Sequence, residues 1–355
     1  MNIVLISDCI ENKKIDINRR DLEGNSKEQN SRMIKSIEPL AEKFYHYTSI
    51  NEFEKNIFLH KKDIILPLFY GINGNNQKSI LPSLCELHNL NYVGADSYTH
   101  TICNDKNLSK LYAKQFDIKS ANSLLIHKES QLNNNILKNL NLPIIIKPNY
   151  GGGSVGITNE NLVYNYEDAK NISKKILKKH KVPIIIEEYI PGYEVELILL
   201  GNKEKIYFCK EVQLIINKTE NFNNQIWGLE TKKIDDSLVD FKLSSYINEK
   251  DRNNLIKLFQ SFNKIEFARI DGRIYNNEFY LIEISPDCYL GDDCAFYYAF
   301  SQNNISHTDM FKKNYRKSSK DIVKSQYPKK STLKGYFEKN IFLSVVLFSC
   351  NWAIL

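Results

Sequence analysis

The stretch Leu142–Ile157, with the sequence LPIIIKPNYGGGSVGI, determines the fold prediction for this chain. Its apolar, β-branched residues between prolines predict a short buried strand. Consecutive glycines follow, and they allow a backbone to approach a phosphate chain closely because no Cβ atom intervenes. Lys147, at the end of the strand, would add a positive charge for those phosphates. The stretch therefore predicts a phosphate-binding site, with an ordinary glycine-rich hairpin as the alternative.

Two common phosphate motifs do not fit this stretch. Gly151, Gly153 and Gly156 have the spacing of a dinucleotide-binding turn, but no helical pattern follows until about Tyr166. A Walker A loop continues with Lys and Ser or Thr after its last glycine, and this loop reads Gly-Ser-Val-Gly. The remaining interpretation is a glycine loop between two strands that folds over ATP as a lid.

Length and composition are those of a soluble protein with two or three domains. The chain has 355 residues, of which 42% are hydrophobic and 25% are charged. The net charge is +6, but lysines alternate with acidic residues, so we expect no nucleic-acid partner. Seven cysteines without a CxxC pair, and a start that lacks a signal-peptide pattern, predict a cytoplasmic protein with reduced thiols.

Alternating strand and helix patterns predict a parallel α/β domain over residues 1–95, with a helix over Asn30–Lys43. A small central domain is expected over residues 96–182 and a C-terminal domain, with the metal and substrate site, over residues 183–315. Residues 316–355 are interpreted as a basic linker and an apolar tail. The tail is too short for a membrane-spanning helix, which needs about 20 residues.

Acidic and basic side chains recur at the ends of predicted strands. Phe267–Asp287 predicts a hairpin in which Arg269 and Asp271 share one face and Glu283 lies opposite them. Two carboxylates that converge from paired strands suit Mg²⁺, and a neighbouring arginine could stabilise an oxyanion. Glu194 and Glu196 likewise share a face of an earlier strand. A surface Arg–Asp pair and a solvated strand edge are the alternatives.

The order of these motifs resembles the ATP-grasp ligases of the D-alanine–D-alanine ligase type, over roughly residues 60–310. The resemblance implies a mixed α/β fold in which a lid domain and a C-terminal domain clasp ATP between two sheets. It also implies an ATP-dependent carbon–nitrogen ligase that activates a carboxylate as an acyl phosphate and joins it to an amine. The motifs that carry the resemblance are Asp105-Lys106, Lys147-Pro148 with Gly151–Gly156, Glu187–Glu194, Arg269-Ile270-Asp271 and Glu283–Pro286.

The resemblance further implies particular site residues. Glu187 would accept a hydrogen bond from the adenine amino group, and Glu194 would hold the ribose. Arg269 and Ser154 are the implied catalytic residues. Asp271 and Glu283 would bind Mg²⁺, or Mn²⁺ in its place, and Ser285 or Asp287 would complete that site. The implied ATP-binding residues are Lys106, Lys147, Gly152, Gly153, Ser154, Glu187, Glu188 (backbone), Ile190 (backbone) and Glu194.

Departures from the family pattern leave the substrates open. Ser285 stands where the family usually has Asn, and Ser26–Asn30 matches the family's N-terminal acidic segment only partly. Gly291–Cys294 is acidic where the family has a serine for the acceptor carboxylate, which favours a cationic amine. We therefore expect a ligase whose substrates need not be D-alanine. A D-alanine–D-alanine ligase, a nucleotide-binding protein without ligase activity, and a homodimer are left open.

Overall fold

The computed structural model describes residues 1–9, 24–70, 77–223, 226, 228 and 238–313. Residues Met1–Ser318 cluster as one compact unit. The predicted linker and tail, and Gly71, Asn75 and Asn76, lie outside the described residues. Among the described residues, no helix is long and apolar enough to cross a membrane.

The N-terminal strands form the parallel sheet that the alternating pattern predicted. β1 (Ile3–Ser7) lies between β2 (Phe44–Tyr47) and β3 (Ile64–Leu68), and β4 (Asn91–Tyr92) pairs with β3. β1 and β3 are buried along their whole length, which explains their continuous apolar sequences. The helices of this region are α1 (Lys27–Ile37), α2 (Ile50–Asn56) and α3 (Ile80–Leu87).

The first helix begins and ends earlier than the predicted range Asn30–Lys43. Ser26 caps it, because its side chain accepts from the backbone N–H of Gln29 at 3.2 Å, while the Gln29 side chain accepts from the backbone N–H of Ser26 at 2.8 Å. Pro39 lies in a 3₁₀ turn that follows directly. The capping box and the proline therefore fix the helix ends.

A small antiparallel sheet carries the glycine loop. Its strand order is β6-β9-β7-β8, with the loop between β7 and β8, so the prediction of a glycine loop between two strands is confirmed. α7 (Tyr166–His180) and the short α6 (Asn134–Leu137) accompany this sheet. Its strands are β6 (Ser123–Ile126), β7 (Ile144–Pro148), β8 (Leu162–Val163) and β9 (Ile184–Glu188).

A large sheet in the order β12-β11-β10-β13-β14-β5 faces the small one. Side chains alternate between its faces, so Leu197 and Ala268 pack with α8 (Glu249–Ser261), whereas Ile198 and Phe267 pack with α9 (Ala295–Ser301), β1 and β3. Two helices, α4 (Ser97–Asn104) and α5 (Lys106–Lys114), precede its edge strand. Its strands are β5 (Lys119–Ser120), β10 (Tyr193–Gly201), β11 (Ile206–Ile216), β12 (Val239–Ser244), β13 (Phe267–Tyr275) and β14 (Glu278–Ser285).

Candidate active site

A cleft of about 1040 Å³, its mouth included, lies between the small and large sheets and is called the central cleft below. Both sheets, α5 and the glycine loop contribute side chains, so residues far apart in the sequence meet here. The predicted site residues that line it are Lys106, Lys147, Gly152, Ser154, Glu187, Glu188, Ile190, Glu194, Arg269, Asp271 and Glu283.

The start of α5 is tied to the glycine loop. Asp105 caps the helix by accepting from the backbone N–H of Leu108 at 2.9 Å, and it also accepts from the Asn149 side chain at 2.9 Å. The Lys106 ammonium group donates to the carbonyl oxygen of Gly151. These contacts hold Lys106 beside the loop, as the predicted phosphate role requires.

The glycine loop uses the left-handed backbone region repeatedly. Gly151, Gly153 and Gly156 have φ values of 89°, 61° and 75°, which glycine adopts without strain. Ser154 has φ of 58°, a conformation that costs a non-glycine residue free energy. The Asn161 side chain anchors the loop by donating to the carbonyl of Gly156 at 3.0 Å. The loop thus has a defined shape over the central cleft.

Buried ammonium groups surround Glu187. Lys147 of β7 and Lys110 of α5 both form ion pairs with its carboxylate. Burial, and then the charge of Lys106, lower the pKa of Lys147 to about 8. Burial, followed by Lys147 and Lys106, lowers the pKa of Lys110 well below its ordinary value. Lys110 was not among the predicted site residues, although its position four residues after Lys106 places both on one helix face.

Glu188, the last residue of β9, and Ile190, two residues further on, already have hydrogen-bond partners within the protein. Asn122 and Asn141 donate to the Glu188 carboxylate at 2.9 Å and 2.8 Å, so its side chain is held away from a ligand role. Its backbone N–H donates to the carbonyl of Asn122 at 3.0 Å. The carbonyl of Ile190 accepts from Arg273 at 3.2 Å. The Glu188 N–H and the Ile190 carbonyl therefore already have partners, so the predicted role at the adenine edge would fall to the other backbone groups of these two residues.

Arg273 is a second residue that the sequence reading missed. It lies opposite Glu194 in the β10–β13 pair, and its Nε and Nη2 atoms approach the Glu194 carboxylate at 2.9 Å and 2.8 Å. Its guanidinium also lies over the rings of Tyr189 and Phe222. Its position two residues after Asp271, on the same face of the strand, could have indicated that Arg273 also lines the cleft. The predicted ribose residue Glu194 is therefore held by a buried cation.

The predicted pair of carboxylates meets across β13 and β14. Asp271 lies opposite Glu283, next to a β-bulge at Asp271/Gly272. Arg269 donates to both oxygens of Asp271 at 2.7 Å, and Glu196 lies 3.5 Å from the same guanidinium. Burial, against the opposing effect of Arg269 and together with Glu196 and Glu283, raises the pKa of Asp271 to about 8.

The charge balance of this group fits a divalent cation. Three carboxylates, those of Glu196, Asp271 and Glu283, face a single guanidinium. Within the described part of the chain, no three His, Cys, Asp or Glu side chains form a ready-made metal site. Asp271 and Glu283 would therefore hold Mg²⁺ only together with oxygen ligands from a substrate, as is usual for this ion.

Residues 113–313 match the family model described as D-ala D-ala ligase C-terminus, which covers more than half of the chain. The chain belongs to this family. A D-alanine–D-alanine ligase from Helicobacter pylori (strain ATCC 700392 / 26695) is 31% identical to it over 240 residues. The match covers 65% of each chain, so the chain spans 65% of the length of that curated relative.

Solved structures agree with the membership and confirm the predicted ATP-grasp fold. The D-alanine–D-alanine ligase of Bacillus anthracis in complex with ATP has a TM-score of 0.69 at 14% identity, covering 91% of this chain and 99% of its own. The D-Ala:D-Ser ligase VanG of Enterococcus faecalis has a TM-score of 0.64 at 18% identity, covering 88% and 97%.

Two predicted residues of the family's metal motif lie apart from the central cleft. Ser285 and Asp287 line a smaller adjoining pocket, and Asp287 pairs with Lys78 at 2.9 Å. Burial alone would raise the pKa of Asp287, but the charges of Lys78 and His100 hold it below its ordinary value. Asp287 is therefore engaged by a lysine. Glu283 also lines this adjoining pocket, whereas Asp271 does not.

The acidic segment that departs from the family pattern is partly compensated by one arginine. Arg32 of α1 lies 3.1 Å from Asp292 and also pairs with Asp293. Because one guanidinium faces two carboxylates, the segment keeps a smaller negative charge, and the expectation of a cationic acceptor stays a prediction. Asn30, at the place of the family's second N-terminal acid, is buried and donates to the carbonyl of Asp8 at 2.7 Å.

Proposed function

We propose that this protein is an ATP- and Mg²⁺-dependent ligase that joins a carboxylate to an amine. The observation that carries the proposal is the convergence in one cleft of two chemical groups. Lys106, Lys147 and the glycine loop supply positive charge and backbone contacts for phosphates. Arg269 and the carboxylates Asp271 and Glu283 lie in the same cleft.

The nucleotide would lie along the small sheet. Glu187 lies at the end of β9, and its carboxylate suits the amino group of adenine. Glu194 suits the ribose hydroxyls, since Arg273 fixes its orientation. A bound Mg²⁺ supplies charge neutralisation for the phosphate oxygens. Asp271 and Glu283 are the residues of this chain that would hold it.

The chemistry proceeds in two steps. The substrate carboxylate attacks the γ-phosphorus of ATP, which releases ADP and leaves an acyl phosphate. The amine then attacks the acyl carbon, phosphate leaves, and the amine loses a proton as the amide forms. Arg269 would stabilise the oxyanion of the second step, and Ser154 of the glycine loop lines the same cleft. A loop that closes over the acyl phosphate protects it from water.

The substrate class that we propose is a pair of amino acids. The relatives are named as ligases of D-alanine, or of D-alanine and D-serine. The pairing of Arg32 with Asp292 and Asp293 reduces the negative charge that an acceptor carboxylate would meet. A D-alanine–D-alanine ligase is therefore one member of the proposed class.

The test measures ADP release from Mg²⁺-ATP with amino acids and diamines, singly and in pairs, including D-alanine alone and D-alanine with D-serine. We expect ADP release that requires a particular substrate set and is lost in Glu283→Gln. ATP binding without substrate-dependent release for any pair contradicts the ligase proposal and favours a nucleotide-binding role.

We also propose a cytoplasmic location, where ATP is abundant and thiols stay reduced. The cysteines in the described ranges support it, since Cys9, Cys85, Cys103, Cys209, Cys288 and Cys294 are all free. A homodimer stays a prediction from the sequence.

A further inference from the structure

A row of carboxylates crosses three strands of the large sheet. Glu196 of β10 lies opposite Asp271 of β13, and Asp271 lies opposite Glu283 of β14. Side chains directly opposite each other on paired strands are close neighbours, and like charges in such positions repel. Arg269 is the guanidinium that contacts all three carboxylates. The carboxylate with which Arg269 pairs therefore determines how far the repulsion among the three is reduced.

Arg269 now occupies the carboxylate that the proposed metal site needs. Its Nε and Nη2 atoms donate to the two oxygens of Asp271, each at 2.7 Å. A divalent cation on Asp271 would compete for those oxygens and would also repel the guanidinium. Metal binding at Asp271 therefore requires Arg269 to give up part of this bidentate contact.

Glu196 is placed to receive the displaced guanidinium. Its carboxylate lies 3.5 Å from Nε of Arg269, so a small movement would complete a hydrogen bond. The Glu196 side chain is 2% exposed and does not line the central cleft, whereas Arg269, Asp271 and Glu283 do. Glu196 can therefore reach Arg269 but is screened from a substrate in the cleft.

We propose that Glu196 is a positioning residue that takes over Arg269 when a divalent cation binds Asp271. Glu196 holds the guanidinium at the floor of the cleft, in reach of the reacting carbonyl, while Asp271 turns to the metal. Without Glu196, Arg269 stays on Asp271 and competes with the cation. The catalytic consequence rests on the proposed ligase function, but the exchange of partners does not.

The first test is a double-mutant cycle on metal affinity. Mn²⁺ binding is measured by electron paramagnetic resonance, with saturating ADP, in the wild-type protein, Glu196→Gln, Arg269→Met and the double variant. We expect Glu196→Gln to weaken Mn²⁺ binding about tenfold in the wild-type background and less than about threefold beside Arg269→Met. Equal weakening in both backgrounds overturns the proposal, because Glu196 would then act on the cation directly.

Loss of Arg269 leaves three carboxylates close together and could prevent folding. Arg269→Lys is therefore a second background, since lysine keeps the charge but cannot make the bidentate contact. The same reduced effect of Glu196→Gln is expected there. Glu278→Gln is the matched control, because Glu278 lies on β14, is largely exposed and pairs with Lys119. A change in Mn²⁺ affinity as large in Glu278→Gln as in Glu196→Gln also overturns the proposal.

Measurements of kcat and KM allow the failure of this inference to be distinguished from the failure of the ligase proposal. With Mg²⁺ saturating for each variant, Glu196→Gln is expected to lower kcat about tenfold or more with the KM for ATP nearly unchanged, and Glu196→Asp is expected to restore part of kcat. A higher KM for ATP with an unchanged kcat contradicts the positioning role. Wild-type protein without turnover, but with the expected Mn²⁺ cycle, contradicts the ligase and supports the exchange of partners.

Discussion

Lys147 of β7 and Glu187 of β9 form an ion pair within the central cleft, although the family resemblance assigned them to opposite ends of ATP. Both side chains are buried, and Lys110 makes a second ion pair with the same carboxylate. In the proposed site, nucleotide binding would redirect Lys147 towards the phosphates while Lys110 retains Glu187. ATP binding there would exchange ionic partners as well as fill the cleft.

Replacement of Glu187 by Gln is expected to weaken ATP binding and to relax the choice of base. The amide leaves two buried ammonium groups without a counter-charge, so we expect a loss of about 3 kcal/mol in the free energy of unfolding. It can also donate to the carbonyl of hypoxanthine, so the preference for ATP over ITP should fall about tenfold. Calorimetric titrations with both nucleotides, together with urea unfolding, measure these effects.

Glu188→Gln is the matched control for this experiment. Asn122 and Asn141 donate to different oxygens of its carboxylate, so the single amide oxygen of glutamine can keep the Asn141 contact while the Asn122 contact is lost. We expect ATP affinity and base preference to stay close to those of the wild-type protein. Equal effects of the two substitutions would remove Glu187 from the adenine site.

ATP binding is expected to take up protons at pH 8.5. Lys147, with a pKa lowered to about 8, is mostly neutral there in the free protein. Phosphate oxygens favour the charged ammonium and raise this pKa, so binding should draw in about 0.5 proton or more. Titration calorimetry in buffers of different ionisation enthalpy measures the uptake. Lys147→Arg stays charged at this pH and should bind ATP with a smaller uptake, whereas the same uptake in both proteins would contradict the assignment.

The hairpin that carries the metal carboxylates could be predicted because its determinants are local. Asn276 and Asn277 have φ values of 51° and 62°, as a tight hairpin turn requires. The turn fixes the register over residues 272–275, and the β-bulge at Asp271/Gly272 then shifts it by one residue, which places Glu283 opposite Asp271. The start of α5 also has a local determinant, since Asp105 accepts from the backbone N–H of Leu108 and caps the helix.

The ion-pair partners of these residues could not be predicted from local sequence in the same way. Arg273 and Glu194 are 79 residues apart, and Arg32 and Asp293 are 261 apart. Such pairs depend on how the sheets and α1 pack, and no local pattern encodes that. The partial compensation of the acidic segment at Asp292 could not be predicted for this reason, since Arg32 comes from the N-terminal region.

Substitutions of Glu283 and Asp287 should differ in their effect on Mn²⁺ affinity. Glu283→Gln removes a carboxylate of the cleft, so we expect Mn²⁺ binding in the presence of ADP to weaken about 30-fold or more. Asp287→Asn should leave Mn²⁺ affinity within about threefold but lower the free energy of unfolding by about 3 kcal/mol, because buried Lys78 loses its partner. Paramagnetic resonance and urea unfolding measure the two effects. A loss of Mn²⁺ binding in Asp287→Asn as large as in Glu283→Gln would place Asp287 in the metal site.

Substitutions of Ser154 should separate backbone strain from hydroxyl chemistry. Because Ser154 has φ of 58°, Ser154→Gly is expected to raise the free energy of unfolding by about 0.5–1 kcal/mol, whereas Ser154→Ala keeps the strain and gains nothing. If the hydroxyl contacts the transferring phosphoryl group, both variants should lower kcat about tenfold or more. Chemical denaturation and steady-state kinetics of the pair provide the comparison. Full turnover in Ser154→Ala would exclude a catalytic hydroxyl and assign the serine to loop geometry alone.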